Sequence, residues 1–136
     1  MKTSPHLLVS LIKTFCIPII LYSLVAVTTN NKIKKTINTA LSLAFSKIFS
    51  TYDKSVIDQC QFYLGVLPLN YQLDMNKISF LSKMSKCNNY HLLTLFNIFG
   101  NVELQELYHS YSVSSVDKHY TIKSKITTIF KNKCGL

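Results

Sequence analysis

From Leu11 to Val27 the chain reads LIKTFCIPIILYSLVAV, seventeen residues whose one charge is Lys13. A stretch this apolar is costly to leave in water, so it is covered either by protein or by lipid, and the two coverings lead to different molecules. Extended back to Leu7 it makes 21 residues, thirteen of them Leu, Ile, Val or Phe, the length of a helix crossing about 30 Å of hydrocarbon. On insertion scales each contributes roughly −0.3 to −0.6 kcal/mol, enough to outweigh about +3 kcal/mol for an off-centre lysine that can snorkel. Lys2 ahead of the run imitates a signal peptide, although Lys13 and Pro18 interrupt it and it is longer than an ordinary signal core. In the membrane reading, Lys32, Lys34 and Lys35 mark the cytoplasmic side. In the other, the run is a core helix of a folded protein.

Charge narrows the choice of partners. The net charge of +9 is carried by fifteen lysines with no arginine. Residues 1–50 hold six lysines and no acid, giving +6; residues 51–100 come to +1 and residues 101–136 to +2. A positive field concentrated at one end suits a polyanion, either nucleic acid or an acidic lipid surface. Lysine is a point charge without the bidentate fork of a guanidinium, so anion binding by this chain is expected to be diffuse.

Several chemistries find no support. Cys16, Cys60, Cys87 and Cys134 lie 27 to 47 residues apart, without the close pairs that place two thiolates on one zinc. They read as reduced thiols of an intracellular protein, cytoplasmic or nuclear, filling space as small hydrophobes. The acids are Asp53, Asp58, Asp74, Glu103, Glu106 and Asp117, with no adjacent pair. Phosphate-cradling glycine loops, H-E-x-x-H and G-x-S-x-G are missing too. No catalytic, metal-ligating or cofactor-binding residue is assigned, and His91, His109 and His119 read as ordinary structural or surface histidines.

Periodicity points to helices. Thr28, Thr29 and Asn30 can cap a helix in which Ile33, Ile37, Leu41, Ala44 and Ile48 share one face. Lys54 to Leu64 places Val56, Ile57, Cys60, Tyr63 and Leu64 on one side and stops at Gly65, with Pro68 beyond. Leu73 to Lys86 carries Met75, Ile78, Leu81 and Met84. Asn88 and Asn89 break that pattern before Tyr90 to Phe99, which Gly100 closes. Asn101 then caps a helix with Leu104, Leu107, Tyr108 and Tyr111 as its stripe. Val116 to Phe130 reads as helix, though its threonines and isoleucines also suit a strand. With three glycines and no hairpin turn signal, the expected fold is all-α, a bundle of about five to seven helices.

Lys13 to Leu24, K-T-F-C-I-P-I-I-L-Y-S-L, resembles the segment just after the catalytic palm in non-LTR (LINE-type) retrotransposon reverse transcriptases, with Pro18 and Tyr22 at that pattern's fixed points. Ser23 stands where the family usually has glycine, and Val25 where it often has an acid. Gly65-Val66-Leu67-Pro68-Leu69, followed by Asp74 to Leu81, resembles the family's region beyond the thumb, with lysine or asparagine in place of its arginines. The likeness covers residues 4–100. It implies a fragment of an RNA-directed DNA polymerase: a thumb-like helix pair in residues 1–50 and a post-thumb helical region in residues 51–136, without the carboxylates of the palm and inactive alone.

The implied partners are the backbone of an RNA or DNA duplex and the missing palm domain. Lys32, Lys34 and Lys35, at the start of the second helix, are the first candidates for phosphate contact, followed by Lys13 and Lys47. Plain solvation of a helix start accounts for the same three lysines. Tyr90, Phe96, Phe99, Tyr108 and Tyr111 fit base stacking or a helical core stripe. A fragment parted from its palm is also expected to leave part of Ile17 to Val27 without a partner.

Overall fold

The computed structural model describes residues 3–136; Lys2, the charge ahead of the apolar run, lies outside them. The described residues form six helices and no strand, an all-α bundle. The first, α1, is Pro5–Leu24. It opens on a proline, whose missing N–H costs nothing at a helix start. Its middle widens into a π-turn over Ile12–Cys16, where the Ile17 N–H donates to the Ile12 carbonyl. Pro18 explains the widening: it has no N–H for the Thr14 carbonyl and its ring would crowd that oxygen, so the turn gains a residue instead of breaking.

Helix α2 is Asn31–Phe49, and the Asn30 side chain accepts the Ile33 N–H at its start. Leu41 is buried and Ile37, Ala44 and Ile48 are half-buried, as the periodicity predicts, whereas Ile33, expected on the same face, is exposed; the anchor is Phe45, fully enclosed and stacked on Phe49. Helix α3 is Lys54–Tyr63, capped by Asp53. It ends where the Gly65 N–H donates to Phe62 and the Val66 N–H to Gln61. These are the paired bonds of a Schellman stop, with Gly65 at φ +65°. The buried face of α3 is Ile57 and Gln61, one turn apart, while Val56 and Tyr63, expected inside, face solvent.

Helix α4 is Leu69–Ser85 and begins directly after Pro68, four residues before the expected start at Leu73. It packs against α1 and α2 on one side and the last two helices on the other. That central position explains a buried surface wider than one stripe, taking in Tyr71, Asp74 and Lys77 besides Leu69, Leu73, Ile78 and Leu81.

The fifth helix, α5, covers 90–111 and starts at Asn89, whose side chain accepts the His91 and Leu92 N–H groups. Here the structure corrects the expected stop at Gly100 and cap at Asn101. The helix runs through both, with a π-turn over Phe96–Gly100, and Asn101 is helical. Gly100 serves close packing: a Cβ there would lie 2.8 Å from the Phe96 ring and 3.1 Å from Leu81 of α4. Ser112, at φ 51°, ends the helix. The sixth helix, α6, is His119–Lys133, so the ambiguous segment is helical from His119 onward, while 116–118 form the turn ahead of it.

Two apolar clusters share α4. One joins Val9, Ile17 and Leu21 of α1 to Leu41, Phe45, Ile57, Leu69 and Leu73. The other gathers Tyr71, Ile78 and Leu81 with Leu104, Leu107, Tyr111, Ile122, Ile126 and Phe130.

Candidate nucleic-acid interface

On an α-helix each residue turns about 100° from the last, so Lys32, Lys35 and Lys47 fall within an arc of about 120° on α2, and Lys34 points to the far side. The structure agrees with that geometry. Lys32, Lys35 and Lys47 are exposed, while Lys34 is partly buried and donates to Asp74 of α4 at 2.6 Å. The first candidates are therefore not a single cluster: two lie outward and the third belongs to the core. The outward arc spans fifteen residues along the axis, about 22 Å at 1.5 Å per residue. Thr36 and Thr39, also exposed, return their hydroxyls to Lys32 and Lys35 carbonyls.

Lys13 is exposed on α1, and its Nζ stands 3.9 Å from the point a side chain on Gly65 would occupy. That places the ammonium beside the C-terminal end of α3, where helix carbonyls favour a cation. Lys47, in the last turn of α2, is favoured in the same way.

Lys34 is one member of a buried node. Asp74 accepts from Lys34 through Oδ1 and from the Tyr111 hydroxyl through Oδ2 at 2.5 Å, joining α2, α4 and α5. Burial first, then the bond to Asp74 and its charge, push the Tyr111 phenol far above its usual range. One turn along α4, Lys77 is 3% exposed and bonds to Glu103 of α5. Thus two of the six acids are engaged as partners of lysines within the core. Among the described residues no three His, Cys, Asp or Glu side chains converge as metal ligands.

Two open clefts flank the node. One, of about 560 Å³, lies between the α1–α2 connection and α5, lined by Thr29, Lys34, Asp74, Glu103, Glu106 and Tyr111. The other, of about 530 Å³, lies between α2, α3 and the end of α6. Sequence reasoning missed the latter because its walls come from four separated segments, 31–46, 52–61, 68–70 and 130–133; the one local signal was Gln61, a polar residue at a core position.

Apolar surface is the other conspicuous feature. Only Val9, Ile17 and Leu21 of α1 are buried, and Leu7, Leu11, Phe15, Ile19 and Tyr22 form an outward stripe, with Phe15 at 60% and Ile19 at 72% exposure. The expectation that part of 17–27 lacks a partner is met by Ile19, Ile20, Tyr22 and Val27. A second outward stripe on α5 comprises Leu95, Ile98, Phe99 and Val102. Of the five aromatic candidates, Phe96 and Tyr111 are core, Tyr108 packs beside it, and Tyr90 and Phe99 are exposed. The four cysteines are free, with Cys16 on the surface.

Comparison with protein-family models, curated proteins and solved structures returned no match for the chain.

Proposed function

We propose that the chain is a helical module of the thumb and post-thumb kind. In this reading it grips the backbone of a nucleic-acid duplex without reading its sequence, and it performs no chemistry without a catalytic palm beside it. It is an intracellular protein, cytoplasmic or nuclear. The observation that carries the reading is α1, held to the bundle by one face while an apolar face of five side chains is left outward. A helix that docks on a neighbouring domain has this construction. Lys32, Lys35 and Lys47 supply the phosphate contacts, and Lys13 stands near them in rank; Lys34 is spent on Asp74.

Contacts of this kind weaken steeply with salt and do not discriminate sequence. The test is retention on a primer–template duplex at low salt. Replacing Lys32, Lys35 and Lys47 by glutamate is expected to abolish retention without loss of helical circular dichroism, since all three are exposed. Unchanged retention removes them from the site.

The same helix favours a second reading, a protein held by one membrane span, because the 20 residues Pro5–Leu24 are long and apolar enough to cross a bilayer. Insertion would withdraw Val9, Ile17 and Leu21 from their packing. Persistence in the membrane fraction through alkaline carbonate washing decides for the span; release decides for the module.

A further inference from the structure

The cleft between α2, α3 and the end of α6 has a composition that, Lys35 apart, the duplex reading does not use. Its volume, about 530 Å³, is that of a small-molecule site. Lys35, Lys54 and Lys133 line it from three different helices, against one acid, Asp58. Lys34 also borders it, but its ammonium is held by Asp74. Deeper in, the wall carries the carboxamide residue Gln61, 2% exposed. Ile57 and Phe130 supply an apolar floor, and Tyr52, 87% exposed, stands at the rim.

These are complementary to one chemistry. Three ammonium groups suit a phosphate, a carboxamide offers the donor and acceptor that a base edge needs, and an apolar floor with a free aromatic ring suits a flat heterocycle. We propose that this cleft binds a nucleoside phosphate, with the phosphate toward Lys35, Lys54 and Lys133 and the base between Tyr52 and the Gln61 amide. It takes one such unit, either a free nucleotide or the phosphorylated end of a strand. The proposal shares Lys35 with the duplex reading but is separable from it, because Tyr52, Lys54, Gln61 and Lys133 lie off the α2 arc of Lys32, Lys35 and Lys47.

Calorimetric titration of the full chain with AMP tests it. One site is expected, weakened about tenfold or more by Lys54→Glu and by Tyr52→Ala, the scale of one charge-assisted or stacking contact. Both residues are exposed, so the fold survives either change. Lys32→Glu leaves AMP binding intact while it reduces duplex retention. If a 5′-phosphorylated oligonucleotide displaces AMP, the ligand is a strand end; if it does not, the ligand is free nucleotide, and the site stands either way. Absence of AMP binding at millimolar concentration, or binding that neither variant weakens, overturns the proposal. Loss of duplex binding with AMP binding retained would sink only the thumb reading.

Discussion

Asp74 is a buried carboxylate with two side-chain partners. Its two oxygens take a lysine from α2 and a tyrosine from α5, so one carboxylate ties three helices together. Asp74→Ala would leave a partly buried ammonium and a buried phenol without an acceptor, at a cost of about 2–4 kcal/mol. Tyr111→Phe removes one bond and should cost about 1–2 kcal/mol. Urea denaturation followed by circular dichroism checks both, and equal losses would contradict the geometry.

The same node makes stability depend on alkaline pH. The folded protein holds the Tyr111 proton more tightly than the unfolded chain does, through burial and Asp74. The stabilisation is complete below the unfolded phenol range near about 10 and is lost as pH rises beyond it. Wild type should therefore lose stability more steeply than Tyr111→Phe above pH about 10; parallel curves would show that Tyr111 is not the group responsible. Tyr71, raised chiefly by burial, contributes in the same direction in both proteins.

At the scale of the element, two helices keep a fault in their middle and remain helices. In α1 the cause is local, Pro18 and its missing N–H. In α5 it accompanies Gly100, where the helix passes close to Leu81. Replacing a helical glycine by alanine ordinarily gains about 1 kcal/mol. Here a Cβ would meet the buried Phe96 ring at 2.8 Å, and crowding of that kind costs about 1–3 kcal/mol. Crowding should win, so Gly100→Ala is expected to lower the melting temperature; a rise would show that α5 can shift away from α4. That glycine was legible as a helix stop, since a stop is what glycine commonly marks. Its actual use depends on Leu81, a residue nineteen positions away.

At the scale of the molecule, the fold leaves two apolar stripes in water, one on α1 and one on α5. Exposed patches of this extent mark contact surfaces or drive self-association. Replacing Leu11, Phe15 and Ile19 by lysine touches only outward side chains. It should leave helical content unchanged while shifting sedimentation toward monomer; a collapse of the fold instead would mean that the stripe is part of the core.

Local pattern was enough for the all-α class, the Asn30 cap, the Gly65 stop and the stripe of Leu104, Leu107 and Tyr111, because each depends on neighbours within a turn or two. The amino-acid sequence also established where the positive charge lies. Which of those charges remain free was decided only in three dimensions. Lys32, Lys34 and Lys35 are almost adjacent in the chain, yet a turn of 100° per residue sends Lys34 to Asp74 forty residues away and leaves the others in solvent. The cleft of Lys35, Lys54, Gln61 and Lys133 arises in the same way. A site built from three helices has no period and no spacing, since the distances that define it are set by packing and not by the order of the residues.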